Sequence, residues 1–119
     1  MVNARAMYFR PENLFKEFII EENKQKVVSA GRVVNDFSGD GSRRLKGCLA
    51  EATEEERTRH SLSDHIVTHT IVQSGPPEAK RADRLILGNR VFYVVDIDEA
   101  GMLGITTIYY AEERKGVKL

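Results

Sequence analysis

The stretch Asp83-Arg84-Leu85-Ile86-Leu87-Gly88-Asn89-Arg90-Val91-Phe92-Tyr93-Val94-Val95-Asp96-Ile97 decides the fold, together with Ile105-Thr106-Thr107-Ile108-Tyr109-Tyr110 beyond a glycine-bracketed loop. Two runs of apolar, β-branched and aromatic residues flank Gly88-Asn89, a pair suited to the positive φ angles of a tight hairpin. The pattern predicts a three-stranded meander. Strict alternation places Val91, Tyr93, Val95 and Ile97 on one face of the middle strand and Phe92 and Val94 on the other. Both faces are apolar, which is more than one small core is expected to absorb.

Working outward, the 119 residues suit a single domain, residues 1–119, large enough to fold without disulfides or metal. Lys+Arg and Asp+Glu each total 18, so no net field draws the chain to nucleic acid or to an acidic membrane. Cys48 is the only cysteine, which excludes an intrachain disulfide and fits a reducing compartment. No apolar run reaches membrane-spanning length, and the polar start with Asn3, Arg5 and Arg10 lacks a signal peptide's apolar centre. The expectation is a protein made and used in the cytosol, or in an assembly formed there.

Residues 1–12 read as a flexible arm, with Pro11 stopping any helix before it. Leu14, Phe15, Phe18 and Ile19 recur at helical spacing, while Glu17 to Glu22 equally suits a strand entering a hairpin. Val27 to Val34 reads as a strand with Gly31 a bulge, its expected partner being Arg44 to Ala50. Between them, Asn35 to Arg43 is dense in turn-forming residues and reads as a long mobile loop. Thr53-Glu54-Glu55-Glu56 has the capping-box form and should start a short helix ending near His60. Asp64 to Val72 resumes β character, Ser74-Gly75-Pro76-Pro77 ends that strand, and Glu78 to Ala82 is a charged connection. The order favours a mainly all-β fold: a small antiparallel β-barrel or sandwich with one short helix and a long mobile loop.

No enzyme constellation emerges. His65 and His69 are four apart, but Ile66, Val67, Thr68, Thr70, Ile71 and Val72 are strand formers, and four residues of strand separate two imidazoles by roughly 13 Å. Asp36 to Gly41 imitates the start of an EF-hand loop, yet Gly47 stands where its bidentate glutamate is needed. Asp96 and Asp98, two apart at a strand end, have no partnering Lys, His or third carboxylate at recognisable spacing in the sequence, and read as charges that end a strand and stay in water. Cys48 lies in an apolar run with Leu45 and Leu49, as a small core residue would, and Ser61 and Ser63 sit in no nucleophile elbow. Arg43, Arg44 and Lys46, and then Lys80, Arg81 and Arg84, could each reach phosphate, but no aromatic stacking positions are interleaved with them.

The residues from Asp64 to Arg114 do resemble a family. Thr68-His69-Thr70-Ile71, Asp83-Arg84-Leu85, Gly88-Asn89-Arg90-Val91-Phe92-Tyr93-Val94 and Thr107-Ile108-Tyr109-Tyr110 look like the head-closure (head–tail joining) proteins of tailed bacteriophages and prophages. In that family a strand bearing a histidine leads to an Asp-Arg-Leu-like motif and then to a hairpin whose second strand reads Arg-x-Phe/Tyr-x-Val. The resemblance covers the C-terminal half well and the N-terminal half only in topology. It implies a small β-barrel with no catalysis and no cofactor, acting in virion assembly at the head–tail interface. It further implies a homo-oligomeric ring that closes the portal after DNA packaging. The ring would contact portal or adaptor proteins on one side and a tail-terminator protein on the other, with packaged DNA in its channel. Under this reading the candidate interface comprises Phe37, Arg43, Arg44, Arg84, Arg90, Phe92, Tyr93, Tyr109 and Tyr110, and the surplus apolar strand faces meet neighbouring subunits. Two alternatives stay open: a small metal-dependent enzyme or regulatory β-domain using His65, His69, Asp96 and Asp98, and a nucleic-acid-binding β-barrel using the basic loop.

Overall fold

A computed structural model describes residues 15–27, 31–34, 36–39, 41–62, 64–99 and 104–116. The expected N-terminal arm, Ser63 and Asp40 lie outside them. The strands are β1 (Phe15–Asn23), β2 (Lys26–Val27), β3 (Val33–Val34), β4 (Phe37–Ser38), β5 (Arg44–Glu51), β6 (His69–Ser74), β7 (Arg84–Leu87), β8 (Arg90–Asp98) and β9 (Thr106–Arg114), with one helix, α1 (Glu54–His60), between β5 and β6. Neighbours run β1, β5, β6, β9, β8, β7, and β7 pairs back onto β1, so six antiparallel strands close a barrel. Closure leaves those strands no open edge.

The meander forms as expected: β7, β8 and β9 pair in sequence, and Leu87 faces Arg90 across the Gly88-Asn89 turn. Only Gly88 takes a positive φ, +62°, as a type II′ turn requires of its first central residue. The open choice at the start of the chain resolves to strand, since Phe18 and Ile20 point into the barrel two residues apart. Gly47 is needed at a close approach: a Cβ there would sit 2.5 Å from Ile71 Cγ2.

Three expectations are corrected. Arg44 to Ala50 pairs with β1 and β6, not with Val27 to Val34. Val27 instead faces Val33, so the valine-rich segment turns back on itself as a two-stranded ribbon. Within the expected mobile loop, Phe37 and Ser38 pair with Asn23 and Glu22, since an apolar ring in the loop finds cover that its polar neighbours do not need. Asp64 to Thr68 is not strand either: the amides of Ile66 and Val67 donate to the side chains of Glu112 and Ser61, so β6 begins only at His69.

The interior is filled by Phe18, Ile20, Leu45, Ile71, Leu85, Phe92, Val94 and Tyr109. At one end Tyr109 Oη accepts from the amides of Glu78 and Ala79 and donates to Gln73, whose amide donates to Pro76 O. The buried polar groups of this network are thus satisfied, as burial demands. Ala52, Val67, Val95 and Tyr110 form a second apolar cluster, with Ile108 packed against it. The expectation of one core with apolar surface to spare is therefore corrected. Part of the outer face of β8 and β9 is covered by the chain's own β5–α1 junction and α1–β6 connection.

Candidate functional site

The barrel interior is packed with side chains, and a β-bulge decides what its outer face presents. Val94 faces Ala111 but Asp96 already faces Tyr110, so Val95 is an extra residue in β8. Unbroken alternation from Phe92 and Val94 would aim Asp96 inward; the bulge turns it outward and brings Ile97 against the interior cluster. The expected grouping of Ile97 with Val91, Tyr93 and Val95 is corrected for this reason.

Outside, His60 Nδ1 at the end of α1 lies 2.8 Å from Asp96 Oδ2, and Arg81 donates to Asp96 Oδ1 at 2.6 Å. The His60 ring stacks on Tyr110, centroids 3.6 Å apart. Burial alone would raise the Asp96 carboxyl, but His60, the Ile97 amide and Arg81 outweigh it and hold that carboxyl below its ordinary range. α1 is positioned as the sequence predicts: Thr53 Oγ1 accepts from the Glu56 amide and Glu56 returns to the Thr53 amide.

Beside this triad runs a stacked row of arginines and aromatic rings. The Arg84 guanidinium lies over Phe37, Phe37 meets Tyr93 edge to face at 5.5 Å, and Arg114 lies over Tyr93. Arg84 pairs with Glu21, and Arg114 with Glu112 at 2.8 Å. A cleft of about 410 Å³ opens here, its lining drawn from Phe37, Tyr93, His60, Leu62, Arg81 and Asp96 among others. The Asp83-Arg84-Leu85 motif is the fastening of the barrel seam. Asp83 accepts from the amides of Asn23 and Lys80, Arg84 holds Glu21, and Leu85 fills the interior.

The structure separates the sequence-derived interface residues into two groups. Phe92 and Tyr109 are fully buried inside the barrel and Tyr110 lies under His60, so all three hold the fold together. Phe37, Arg43, Arg44, Arg84, Arg90 and Tyr93 reach the outer surface. Each of these arginines has an intramolecular acid: Arg43 with Glu22, Arg44 with Glu17, Arg84 with Glu21, and Arg90 with both oxygens of Glu113. Lys80 approaches Glu22 as well, so the basic residues flagged for phosphate contact are largely offset in place.

His65, His69, Asp96 and Asp98 are not brought to one point. His65 faces Glu112 at 3.0 Å, whereas His69 lies nearest Thr68 and the edge of Phe92, with Glu113 at 4.0 Å. Burial lowers the affinity of His69 for a proton. Among the described residues no three His, Cys, Asp or Glu side chains converge as metal ligands would. Cys48 is half-buried on β5 beside Val72, and Ser61 caps α1 while accepting from the Val67 amide.

Exposed apolar side chains that the sequence reading did not single out are Val27, Val33 and Val34 of the ribbon, and Leu62 and Ile66 after α1. One signal was available: two valine pairs placed on either side of Gly31, which is a hairpin pattern as well as a bulged strand.

No protein-family profile and no curated protein matches the chain. Among solved structures, a chain of the "Virion of native gene transfer agent (GTA) particle" is similar, with a TM-score of 0.59 and 20% identity. The similarity covers 83% of this chain and 94% of that one, so the two share a fold over nearly their whole length.

Proposed function

We propose that this protein is a structural component of a phage-like particle, acting at the head–tail junction as a connector subunit with no catalytic step. The observation that carries this reading is the fold shared, nearly end to end, with a chain of a gene transfer agent virion. The resemblance of Thr68-His69-Thr70-Ile71, Asp83-Arg84-Leu85 and Arg90-Val91-Phe92-Tyr93-Val94 to head-closure proteins narrows it to the junction. The physical character of the molecule agrees: the interior is packed with side chains, leaving the outer surface for partners. In the proposed role, copies form a ring between the portal or adaptor side and the tail-terminator side. Phe37, Arg43, Arg44, Arg84, Arg90 and Tyr93 are then the members of the interface set able to meet neighbours without unfolding.

The test is deletion of the gene in the producing cell, followed by electron microscopy and mass spectrometry of purified particles. The expected outcome is DNA-filled heads separated from tails, with joining restored by the protein supplied in trans. Normal joined particles lacking this protein would sink the proposal.

A further inference from the structure

The chain leaves the barrel twice. The first excursion is the arm, where β1 runs on into β2 and returns through β3 and β4, with Asn23 facing Phe37 and Val27 facing Val33. The second is α1 with its connection to β6, and the way it is held carries an observation that the connector reading does not use.

Ala52 and Val67 mark the two ends of this second excursion. Both are buried with Val95 and Tyr110. The Ala52 amide donates to Thr68 O and the Thr68 amide to Ala111 O, so the ends are pinned to each other and to β9. Between Ala52 and Val67 no described residue is buried. The helix, Glu-Glu-Glu-Arg-Thr-Arg-His, is polar on every side and seven residues long, too short to persist in water unsupported. Bonds within the excursion keep it together as one piece. They are the capping box, the Ser61 amide on Arg57 O, reciprocal bonds between the main chains of Leu62 and His65, and the Val67 amide on Ser61 Oγ.

What holds this piece to the barrel wall is a device used twice. His60 Nδ1 lies against Asp96 of β8, which also accepts from Arg81 and from the Ile97 amide. His65 Nδ1 lies against Glu112 of β9, which also accepts from Arg114 and from the Ile66 amide. Each carboxylate is thus bracketed by a histidine, an arginine and a backbone amide. Arg114 reaches His65 as well, and Asp64 stands 3.7 Å from its Nε2. The His60 ring adds its stack on Tyr110. Part-exposed ties of this kind are weak beside packed apolar side chains, and salt screens them. Lifting the piece gives up two ties and one stacked ring, and unburies no side chain between the two ends. Segments with so little buried surface open at low free energy while the rest of a domain stays folded.

We infer that residues 53–62 and 64–66 are a latch, which swings off the wall as one unit about Ala52 and Val67 while the barrel remains closed, with the ties at Asp96 and Glu112 setting how often it opens. Closed, the latch supplies His60, Ser61, Leu62 and His65 to one side of the cleft. Open, it takes that side away and bares Tyr110 on the outer face of β9. The same stretch of wall therefore presents a polar cleft in one state and an aromatic, apolar face in the other.

The experiment is native-state hydrogen exchange on the full chain, read by NMR at single amides over a series of sub-denaturing urea concentrations. The native protein is compared with Asp96→Asn and Glu112→Gln, which keep side-chain size and an oxygen acceptor for the neighbouring amide. In the native protein the amides of Ser61, Leu62, Ile66 and Val67 should share one opening free energy. It should be lower than that of the β6–β9 ladder and nearly independent of urea, as an opening that exposes little surface requires. Each substitution should speed exchange about threefold or more at the far tie as well as its own. Asp96→Asn is read at Ile66, which Glu112 holds, and Glu112→Gln at Ser61, beside the Asp96 tie. Latch amides that follow the urea dependence of the ladder exchange only by unfolding of the barrel, and that result overturns the inference. Unequal openings across these amides, or a substitution whose effect stays at its own tie, overturn it too, since they describe separate fraying ends and not one unit. Should either variant fail to fold, the urea dependence of the native protein still decides.

Discussion

Valines build both the wall and the arm of this molecule, with opposite results. In β8, Val91, Val94 and Val95 are buried, Val94 among the interior residues and Val95 beneath the α1 region. In the arm, Val27, Val33 and Val34 are exposed on a ribbon that, among the described residues, pairs only with itself. Strand propensity is the same in the two places; what differs is the number of surfaces that the topology brings against each strand. Propensity therefore explains why each segment is extended, and only neighbouring elements explain what its side chains do.

The contrast breaks most visibly in the wall. Phe92→Ala removes a ring packed against Phe18 inside the barrel and should cost about 3–5 kcal/mol in urea unfolding. Gly47→Ala forces a methyl group against Ile71 and should cost about 1–3 kcal/mol by the same measurement. Asp83→Ala tests the joint where arm and wall meet. It strips the partner from the amides of Asn23 and Lys80, so a loss of about 1–3 kcal/mol is expected, with faster hydrogen exchange at those amides.

Acid should loosen the outer layer. Burial would raise the Glu112 carboxyl, but His65, Arg114 and the Ile66 amide lower it below its ordinary range, as happens at Asp96. At Glu113 the Arg90 hydrogen bonds lead in lowering the carboxyl. A depressed folded-state value contributes stability that is present above the unfolded value of about 4 and lost as pH falls through the folded values. The urea midpoint should fall on acidification below about pH 4, and Asp96→Asn should make that fall shallower. The smallest effect belongs to the arm: Val27→Thr with Val33→Thr should leave the unfolding free energy within about 0.5 kcal/mol while polarising the exposed face. A large loss there would mean that the arm is part of the barrel's cooperative unit.

Much of this was legible because it is local. Gly88-Asn89 between two apolar runs specifies a hairpin, Thr53 with Glu56 specifies a helix start, and Pro76-Pro77 ends a strand, each through bonds or torsions within a few residues. The paired course of the arm was misread because a run of valines satisfies strand propensity whichever partner it takes. The candidate site was less legible still. Tyr109 and Tyr110 are adjacent and chemically alike, yet one fills the barrel and the other lies under His60.

By itself, then, the sequence determined a mainly β chain, its meander and its short capped helix, since turn chemistry and residue periodicity act over short range. Only the tertiary structure decided that the sheet closes through β1 and β7, that a bulge at Val95 turns Asp96 out to His60 and Arg81, and that part of the outer face of β8 and β9 is covered by the chain's own connections while the arm valines are left exposed. Those outcomes depend on which distant segments meet, and side-chain burial is a property of the meeting rather than of either segment alone.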